Sequence, residues 1–301
     1  MAINTGSFAK ALWPGVNSWY GQAYDEHGVE YTDLFNTESS RKAYEEDMGT
    51  SMFGLAAVKP EGGQITYDTA QQGFLTRYTH VTYGLGFIIT REMVDDDLYD
   101  IIGKKRAQGL AFSMRQTKEI IAANVYNNAF DSTYSGGDGK ELLATDHPTI
   151  MGAAFANENT AATLSEASLE DLSIDIMQAK NDRGLNISLI PDCLIINPEL
   201  VYEADRILNS PLRVGTANND LNALRNMGKF PGGVKVNHYL TDTNAYFIRT
   251  NCPDGMKHFE RRSDDFTMDN DWDTDNAKYK ATGRYSFGWT DPRGLYGNAG
   301  A

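Results

Sequence analysis

Cysteine is scarce in this sequence, with Cys193 and Cys252 the only two among 301 residues. Neither has a second cysteine or a histidine at the spacing of a metal site, and a disulfide framework is not expected. Uncharged apolar runs such as GFII and CLII fall far short of the roughly 20 residues that span a bilayer. The first residues lack a basic cluster followed by an apolar core, so no signal peptide is expected. These features favour a reducing compartment, with the cytoplasm as the default.

Positive charge is also in short supply. The chain has 27 Lys and Arg against 41 Asp and Glu, a net charge of −14. Such a surface repels DNA phosphates, so tight nucleic-acid binding is disfavoured unless basic residues are segregated into a patch. The nearest basic group is GKKR at 103–106, followed by Arg115 and Lys118. We interpret these residues as one solvated helix face. Hydrophobic residues make up 41% of the chain, enough for a folded core.

Recognisable catalytic motifs are missing. In ELLATDHPTIMG, Asp146 precedes His147 and could orient it as a base. However, the chain has no G-x-S-x-G elbow, and neither cysteine lies in an electropositive context. A zinc site needs three or four ligands, and the histidines are isolated from one another. We therefore interpret Asp146 and His147 as structural, predict no catalytic, cofactor or metal residues, and keep a hydrolase using this pair as an alternative. The histidines are His27, His80, His147, His238 and His258.

The string DNDWDTDN, with aspartates at 269, 271, 273 and 275, imitates the start of a calcium-binding loop. The sharp turn of such a loop needs glycine at its sixth position, which is Thr274 here. The bidentate glutamate at its twelfth position is replaced by Lys280. We interpret the string as a solvated acidic loop whose role stays open. Phosphate-binding motifs fail as well, since YGLGF lacks a third glycine and the flanking βαβ pattern.

The first part of the chain predicts little regular structure. Residues 1–36 are rich in Gly, Asn and Tyr without a sustained period, which is typical of an extended arm. TESSRKAYEEDMG then predicts a short helix that Thr37 or Ser39 caps and Gly49 ends.

Alternation indicates a strand in YTHVTYGLGFII. Apolar residues alternate with smaller and more polar ones, and His80 falls on the polar side, where we expect a surface residue. Pro60 with Gly62 and Gly63 breaks regular structure upstream. Together these stretches predict a protruding β-hairpin over roughly 53–89. The apolar residues of the alternating strand are Val81, Tyr83, Leu85 and Phe87.

A long helix is predicted from Thr90 as N-cap to about residue 130, with apolar residues mostly three or four apart. Unbroken, roughly 39 residues would extend about 58 Å, too long to lie inside a domain of this size. Gly103 and Gly109 could bend it. A second helix is predicted with Ser168 as its cap and Gly184 as its end.

The remaining chain mixes strands and helix. NISLIPDCLIINPELVYEADRILNS predicts strand, turn and helix, with Asn197 as cap and Pro198 at the first helical position. VKVNHYLTDTNAYFIRTN predicts two strands around a turn at 242–244, and AKYKATGRYSFGWTDPRGLYG is strand-rich. The fold class is therefore α+β. An arm, a protruding hairpin and an exposed long helix expose surface that a monomer could not cover, which favours an assembly subunit without enzymatic activity.

These residues also resemble a family. YGLGFIITREMVDDDLY resembles the junction of E-loop and spine helix in the Mu-like major head subunits of tailed phages. DHPT, then LSEASLEDLSIDIMQAKNDRGLNISLIPDCLIINPELVYEADRIL, HYLTDTNAYFIRTN and FGWTDPRGLYG are similar to its later blocks, in order, over residues 50 to 297. The resemblance implies the Hong Kong 97-like capsid fold. Carried onto this chain, it implies an N-terminal arm (1–50), an E-loop (51–90), a P-domain with the spine helix (91–167), an A-domain (168–255) and a return to the P-domain (256–301).

The implied function is that of a major capsid protein. Subunits would form hexamers and pentamers of an icosahedral shell around double-stranded DNA bound without sequence specificity. They would assemble in the host cytoplasm, reside in the virion and contact no membrane. The resemblance further implies a separate scaffolding protein, a maturation protease and a portal, and leaves a decoration protein open. An encapsulin-like compartment shell is the alternative. The expected assembly contacts are Lys59, Pro60, Glu61, Gly62, Gly63, Val81, Tyr83, Leu85 and Phe87.

Overall fold

The computed structural model describes residues 9–95, 103–213, 220–271 and 276–301. Helices and strands are mixed along the described chain, as the α+β prediction requires. The described helices are α1 (Ala9–Glu26), α2 (Tyr31–Leu34), α3 (Arg91–Asp95), α4 (Lys104–Asn127), α5 (Glu166–Met177), α6 (Val201–Asn209) and α7 (Ala223–Met227).

The strands form two four-stranded sheets and a separate pair, in the orders β1-β8-β9-β4, β10-β7-β5-β6 and β2-β3. The described strands are β1 (Asn36–Ser39), β2 (Tyr44–Thr50), β3 (Gln72–Thr79), β4 (Val81–Ile89), β5 (Pro191–Ile196), β6 (Gly233–Val236), β7 (Tyr246–Thr250), β8 (Met256–Asn270), β9 (Ala277–Trp289) and β10 (Leu295–Asn298).

The first sheet is built on a long antiparallel ribbon of β8 and β9. Alternate residues of β9, such as Tyr279, Ala281 and Tyr285, are buried on one face, as expected for a half-covered antiparallel sheet. Helices α1 and α4 pack on that face. Tyr20 of α1 stacks on Phe266 of β8 with ring centroids 4.5 Å apart. The opposite face of this sheet is not packed against those helices.

The second sheet is centred on β5, which is parallel to β6 and antiparallel to β7. Its sequence PDCLII is buried almost throughout, as in a strand covered on both faces. Cys193 is buried there as predicted. Helix α5 covers the sheet through Leu169 and Leu172, and α6 through Ile207.

A shared core joins the two sheets. Tyr126 near the end of α4 is fully buried and donates a hydrogen bond to the Leu34 carbonyl at 2.9 Å. Its ring meets Phe247 of β7 edge-on, with centroids 5.4 Å apart. Near the middle of α4, Glu119 accepts hydrogen bonds from the backbone N–H groups of Glu30 and Tyr31, which start α2. Helix α4 therefore connects the N-terminal segment with both sheets.

Two predictions for the N-terminal segment are wrong. Residues 9–26 form α1 rather than an extended arm, because Tyr20 and Ala23, one helical turn apart, are buried against the first sheet and α4. The predicted helix from Thr37 to Gly49 is two strands, β1 and β2. Pairing of β1 with β8 and of β2 with β3 overrides the helix propensity of this Glu-rich stretch.

The hairpin predicted over 53–89 is wrong in its bounds and in one of its strands. β4 forms where alternation predicted it, but it pairs with β9 of the first sheet. The hairpin that does form joins β2 to β3, with Tyr44 opposite Thr79. His80, expected at the surface, is buried and lies within 2.9 Å of the Ser286 hydroxyl and 3.1 Å of the Ser40 hydroxyl. His80 is buried because β3 and β4, which it joins, pack against β9. Sequence alternation alone does not show this packing.

The helix predicted after Thr90 is present as α3 and α4, while residues 96–102 between them lie outside the described residues. The Thr90 hydroxyl accepts from the Met93 N–H, as the predicted cap would. The prediction that the basic residues form one solvated helix face is wrong at two positions. Arg115 is buried over the ring of Tyr24, and buried Lys118 pairs with Glu260 at 3.2 Å.

Helix α5 begins three residues earlier than predicted and ends at Met177 rather than at Gly184. Ser165 is its cap and forms a reciprocal pair of side-chain bonds with Ser168, which was the predicted cap. Asn197 and Pro198 cap the next helical segment as predicted. Strand β8 was not predicted, because its run of charged residues hides the alternation that indicates a strand. Of the acidic string, residues 272–275 lie outside the described residues, while Asp271 pairs with Lys278 at 2.7 Å.

Candidate interaction site at the 51–71 loop

The β2–β3 hairpin carries a loop of unusual length. The ladder ends with Thr50 opposite Gln72, and residues 51–71 between them contain no helix or strand. Loops longer than about 12–15 residues without secondary structure are uncommon in compact domains and usually functional. We call this segment the 51–71 loop.

Apolar side chains on the 51–71 loop are exposed rather than buried. Val58 is 95% exposed and Tyr67 is 91% exposed. Side chains of this kind normally fill cores, and their concentration on a projecting segment is typical of a surface that another molecule covers. The exposed apolar residues of the loop are Met52, Phe53, Leu55, Val58, Ile65 and Tyr67.

The two ends of the loop are fastened to the turn at 181–184. Asp182 is buried, and one of its carboxylate oxygens accepts a hydrogen bond from the Met52 N–H at 3.2 Å. Arg183 donates to the Met52 carbonyl, the Asp68 carboxylate and the Thr69 carbonyl at 2.9–3.2 Å. One side chain thus holds both ends of the loop. The sequence did not predict these contacts of Arg183, which we call the clamp, and Gly184 was predicted only as the end of the second helix.

The clamp rests on a rigid turn. The Asn181 side chain accepts from the N–H groups of Arg183 and Leu185, and Gly184 has φ of +77°, which favours glycine. Asp68 accepts hydrogen bonds from the Gly54 and Thr69 N–H groups, which lower the pKa of its carboxyl, with a further contribution from Arg183. The string NDRG is a turn signal and could have indicated a rigid loop, but nothing local in it indicates contact with residues 52–69.

The base of the hairpin is fixed to the first sheet. Buried Lys257 pairs with Asp47 at 2.5 Å and with Asp254 at 2.9 Å. Burial acts to lower the pKa of Lys257, but its hydrogen bonds to the two carboxylates outweigh burial and the pKa is raised. Thr290 donates to the same Asp47 carboxylate and lies 2.6 Å from the Tyr78 hydroxyl. The hairpin therefore leaves the body of the protein in a defined direction.

The predicted contact residues fall into two separate groups. Lys59, Pro60, Glu61, Gly62 and Gly63 lie in the exposed middle of the 51–71 loop, where the Gly63 N–H closes a turn on the Pro60 carbonyl.

The second group lies on β4, in the first sheet. Tyr83 stacks on Tyr285 and Phe87 on Tyr279, so both have partners within the subunit. Val81 and Leu85 are about half exposed, at 48% and 52%. The structure therefore does not bring the two groups into one site.

Asp146 and His147 have different surroundings despite being adjacent. His147 is fully buried, with Nδ1 2.7 Å from Asp138 and Nε2 3.0 Å from the Asn157 side chain. Asp146 is exposed and accepts from Lys140 at 2.6 Å. The imidazole is therefore bonded to Asp138 rather than to its neighbour, and it joins the 131–140 segment to residue 157.

Other chemistry is limited in the described part of the chain. Both cysteines are free, and burial raises the pKa of Cys193 to about 11 and that of Cys252 to about 12. Among the described residues, no group of three or more His, Cys, Asp or Glu side chains is arranged to hold a metal ion. None of the described helices combines the length and apolar character of a membrane span.

Comparison with known proteins identifies the family. The phage capsid protein family matches residues 74–298, about three quarters of the chain. A search of curated protein sequences finds no match.

Solved structures agree on the fold. A structure of Mycobacterium phage Che8 is 14% identical, covers 91% of this chain and 93% of its own, and has a TM-score of 0.53. The procapsid of bacteriophage JBD30 is 12% identical over 97% of this chain and 75% of its own, at a TM-score of 0.53. The capsid of Myoviridae phage XM1 is 11% identical, covers 92% of this chain and 94% of its own, and also has a TM-score of 0.53.

These matches define a structural protein of the phage capsid class. The chain belongs to the phage capsid protein family, and it is a major capsid protein of an icosahedral shell. Its place is the virion capsid, and the proteins of this family are structural rather than enzymatic.

Proposed function

We propose that this capsid protein has the Hong Kong 97-like fold of the Mu-like major head subunits and assembles as hexamers and pentamers. In this proposal the first sheet with α4 forms the P-domain, and residues 168–255 with the second sheet form the A-domain. The 51–71 loop with its hairpin is the E-loop. A two-sheet body that carries one long projection supports this assignment.

The observation that carries the proposal is the exposed apolar surface of the 51–71 loop. Burying one large apolar side chain contributes about 1.5–3 kcal/mol, so six such residues could stabilise a subunit contact strongly. The clamp at 181–184 holds only the two ends of the loop, so its middle remains available to a neighbour. We propose that this middle part, with Lys59 to Gly63 at its centre, lies across an adjacent subunit, and that Val81 and Leu85 of β4 supply further contacts.

The partners follow from the same assignment. The subunits are proposed to assemble in the host cytoplasm with a separate scaffolding protein, a maturation protease and a portal, and to enclose double-stranded DNA without sequence-specific contacts. A net charge of −14 supports weak interaction with the enclosed DNA. An encapsulin-like compartment shell is the weaker alternative, because the matching family is one of phage capsid proteins. Portal and terminase genes beside this gene would favour the phage head.

Negative-stain microscopy and sedimentation of the purified chain, alone and with its scaffolding protein, test the proposal. We expect closed shells, capsomers or tubes with sixfold and fivefold units. A protein that stays monomeric in all salt and scaffold conditions would contradict it.

A further inference from the structure

Basic residues gather on the outer face of the first sheet, the face opposite α1 and α4. Along β9, the positions that alternate with buried Tyr279, Ala281 and Tyr285 place Lys280 and Arg284 on this face. On β4, Gly86 lies opposite Lys280 and contributes no side chain, and the short side chain of Thr82 lies opposite Arg284.

A local irregularity of β8 adds two more cations. Between Glu260 and Arg262 the register with β9 shifts by one residue, so that Arg261 and Arg262 together oppose Arg284. β-bulges redirect side chains and are features of the sequence rather than defects. Arg261 donates to the Lys42 carbonyl and Arg284 to the Ala43 carbonyl, so both guanidinium groups lie beside the same turn. We call Arg261, Arg262, Lys280 and Arg284 the basic strip.

The basic strip has no carboxylate partner in the part of the chain that the structure describes. Among the described residues, none of its four side chains forms an ion pair, although acidic residues outnumber basic ones by 41 to 27. Other cations of the same sheet are paired, such as Lys257 with Asp47 and Lys278 with Asp271. Like charges directly opposite one another on neighbouring strands destabilise a sheet, and Arg262 faces Arg284 in this way. An anion from another molecule would relieve that repulsion.

We propose that the basic strip binds carboxylates of a second copy of this chain, an inference that rests on the proposed assembly. Two copies that each carry −14 repel one another, and a contact that places unpaired cations against the neighbour's acidic surface offsets this repulsion. Guanidinium groups bind carboxylates with two parallel hydrogen bonds, which also fixes orientation. DNA phosphate fits less well, because the extended polyanion would also meet the surrounding surface of a chain that carries −14.

The first test neutralises two members of the basic strip that are exposed and make few contacts within the subunit. Among the described residues, the Arg262 side chain donates one hydrogen bond, to the Thr282 hydroxyl, and both Arg262 and Lys280 are exposed. The double variant R262Q/K280Q is compared with wild type and with R225Q, an exposed arginine on α7 far from the strip in sequence. Thermal unfolding of the free subunits verifies that all three are equally folded.

Subunit association is then measured by sedimentation at about 0.05 M and about 1 M salt, where screening is weak and strong. We expect R262Q/K280Q to lower the association constant roughly 2- to 30-fold at low salt, the range that two exposed ion pairs cover, and much less at high salt. Equal association of R262Q/K280Q and R225Q at both salt concentrations would overturn the inference. A wild-type chain that never associates would instead overturn the proposed function.

The second test identifies the bound partner. A photo-reactive benzophenone amino acid replaces Arg262, and assembled particles are irradiated and analysed by peptide mass spectrometry. We expect cross-links to an acidic segment of a second copy of the chain. Cross-links only within one subunit, to DNA, or to a different protein would overturn the inference.

Discussion

Neighbouring residues can have opposite importance, as Asp146 and His147 illustrate. The His147 ring is inaccessible to solvent and is bonded to Asp138 and Asn157, whereas the Asp146 side chain remains 59% exposed. Asn157 also donates to the carbonyls of Leu142 and Leu295, so the imidazole belongs to a buried polar network. These surroundings determine how much each residue contributes to the free energy of unfolding.

The variant H147A should lower the free energy of unfolding by about 2 to 4 kcal/mol, because it removes the hydrogen bonds of a fully buried imidazole to Asp138 and Asn157. D146A should change it little, because that carboxylate is exposed. Chemical denaturation of the two single variants measures the difference. Equal losses in both variants would contradict the structural role assigned to His147.

His258 predicts a pH dependence of stability. It is fully buried, and burial, with a smaller contribution from Lys118, lowers its pKa to about 3. The unfolded chain binds a proton to this residue near pH 6.5, whereas the folded chain does not. Its contribution to stability is therefore present above pH 6.5 and is lost as the pH falls towards 3, by up to about 1.4 kcal/mol per pH unit. The pKa of buried His80 is lowered as well, so it acts in the same direction.

Replacing His258 with Gln should flatten the fall in unfolding free energy between pH 6.5 and 4, even though the variant is less stable at every pH. Denaturant titrations of the free subunit at several pH values give the slope. An unchanged slope in H258Q would assign the acid sensitivity to other groups.

At the scale of elements, the clamp decides how the 51–71 loop is presented. In R183A the loop loses the hydrogen bonds that Arg183 donates at its two ends, to Met52 and Thr69, while the Met52 N–H bond to Asp182 and the ladder of β2 and β3 remain. We expect faster hydrogen exchange over residues 52–71 in the free subunit, and slower assembly because the loop is no longer positioned. R206A, on the exposed face of α6, is the matched control. Unchanged exchange over residues 52–71 in R183A would show that the clamp does not order the loop.

Replacing residues 53–67 with a Gly/Ser segment of equal length keeps Met52 and Asp68 and removes five of the six exposed apolar side chains, all except that of Met52. The subunit should remain folded, because an isolated two-stranded hairpin adds little stability by itself, and stable shell formation should be lost. Circular dichroism and electron microscopy measure the two effects. Intact shells from this variant would exclude the loop as the main contact.

Hydrogen exchange gives a second measure of the same element. We expect the middle of the 51–71 loop to exchange freely in the subunit and to be protected in the shell. Equal protection in the two states would mean that the neighbour does not cover it.

At the scale of the whole molecule, the two sheets share one body through α4 and the core around Tyr126. What distinguishes the chain from an ordinary α+β protein is the surface left outside this body. The 51–71 loop is apolar and exposed, and the basic strip is charged and unpaired within the described residues. Both surfaces are costly for an isolated subunit, and both are explained by a shell in which every copy meets other copies.

The sequence by itself determined the local elements that carry their own signals. Alternation located β4, helical spacing located α4, and Asn197 with Pro198 located the start of the next helical segment. The order of such elements, together with the family resemblance, was sufficient for the α+β class and for the capsid function.

Only the tertiary structure decided which elements pair and which side chains are buried. The Glu-rich stretch after Thr37 became strands because β8 and β3 supply ladder partners from distant parts of the chain. The clamp joins Arg183 to Asp68, 115 positions away, and no local pattern encodes such a contact. Hydrogen bonds and burial between segments so distant in sequence depend on the position of the whole backbone, whereas periodicity and capping depend only on neighbouring residues.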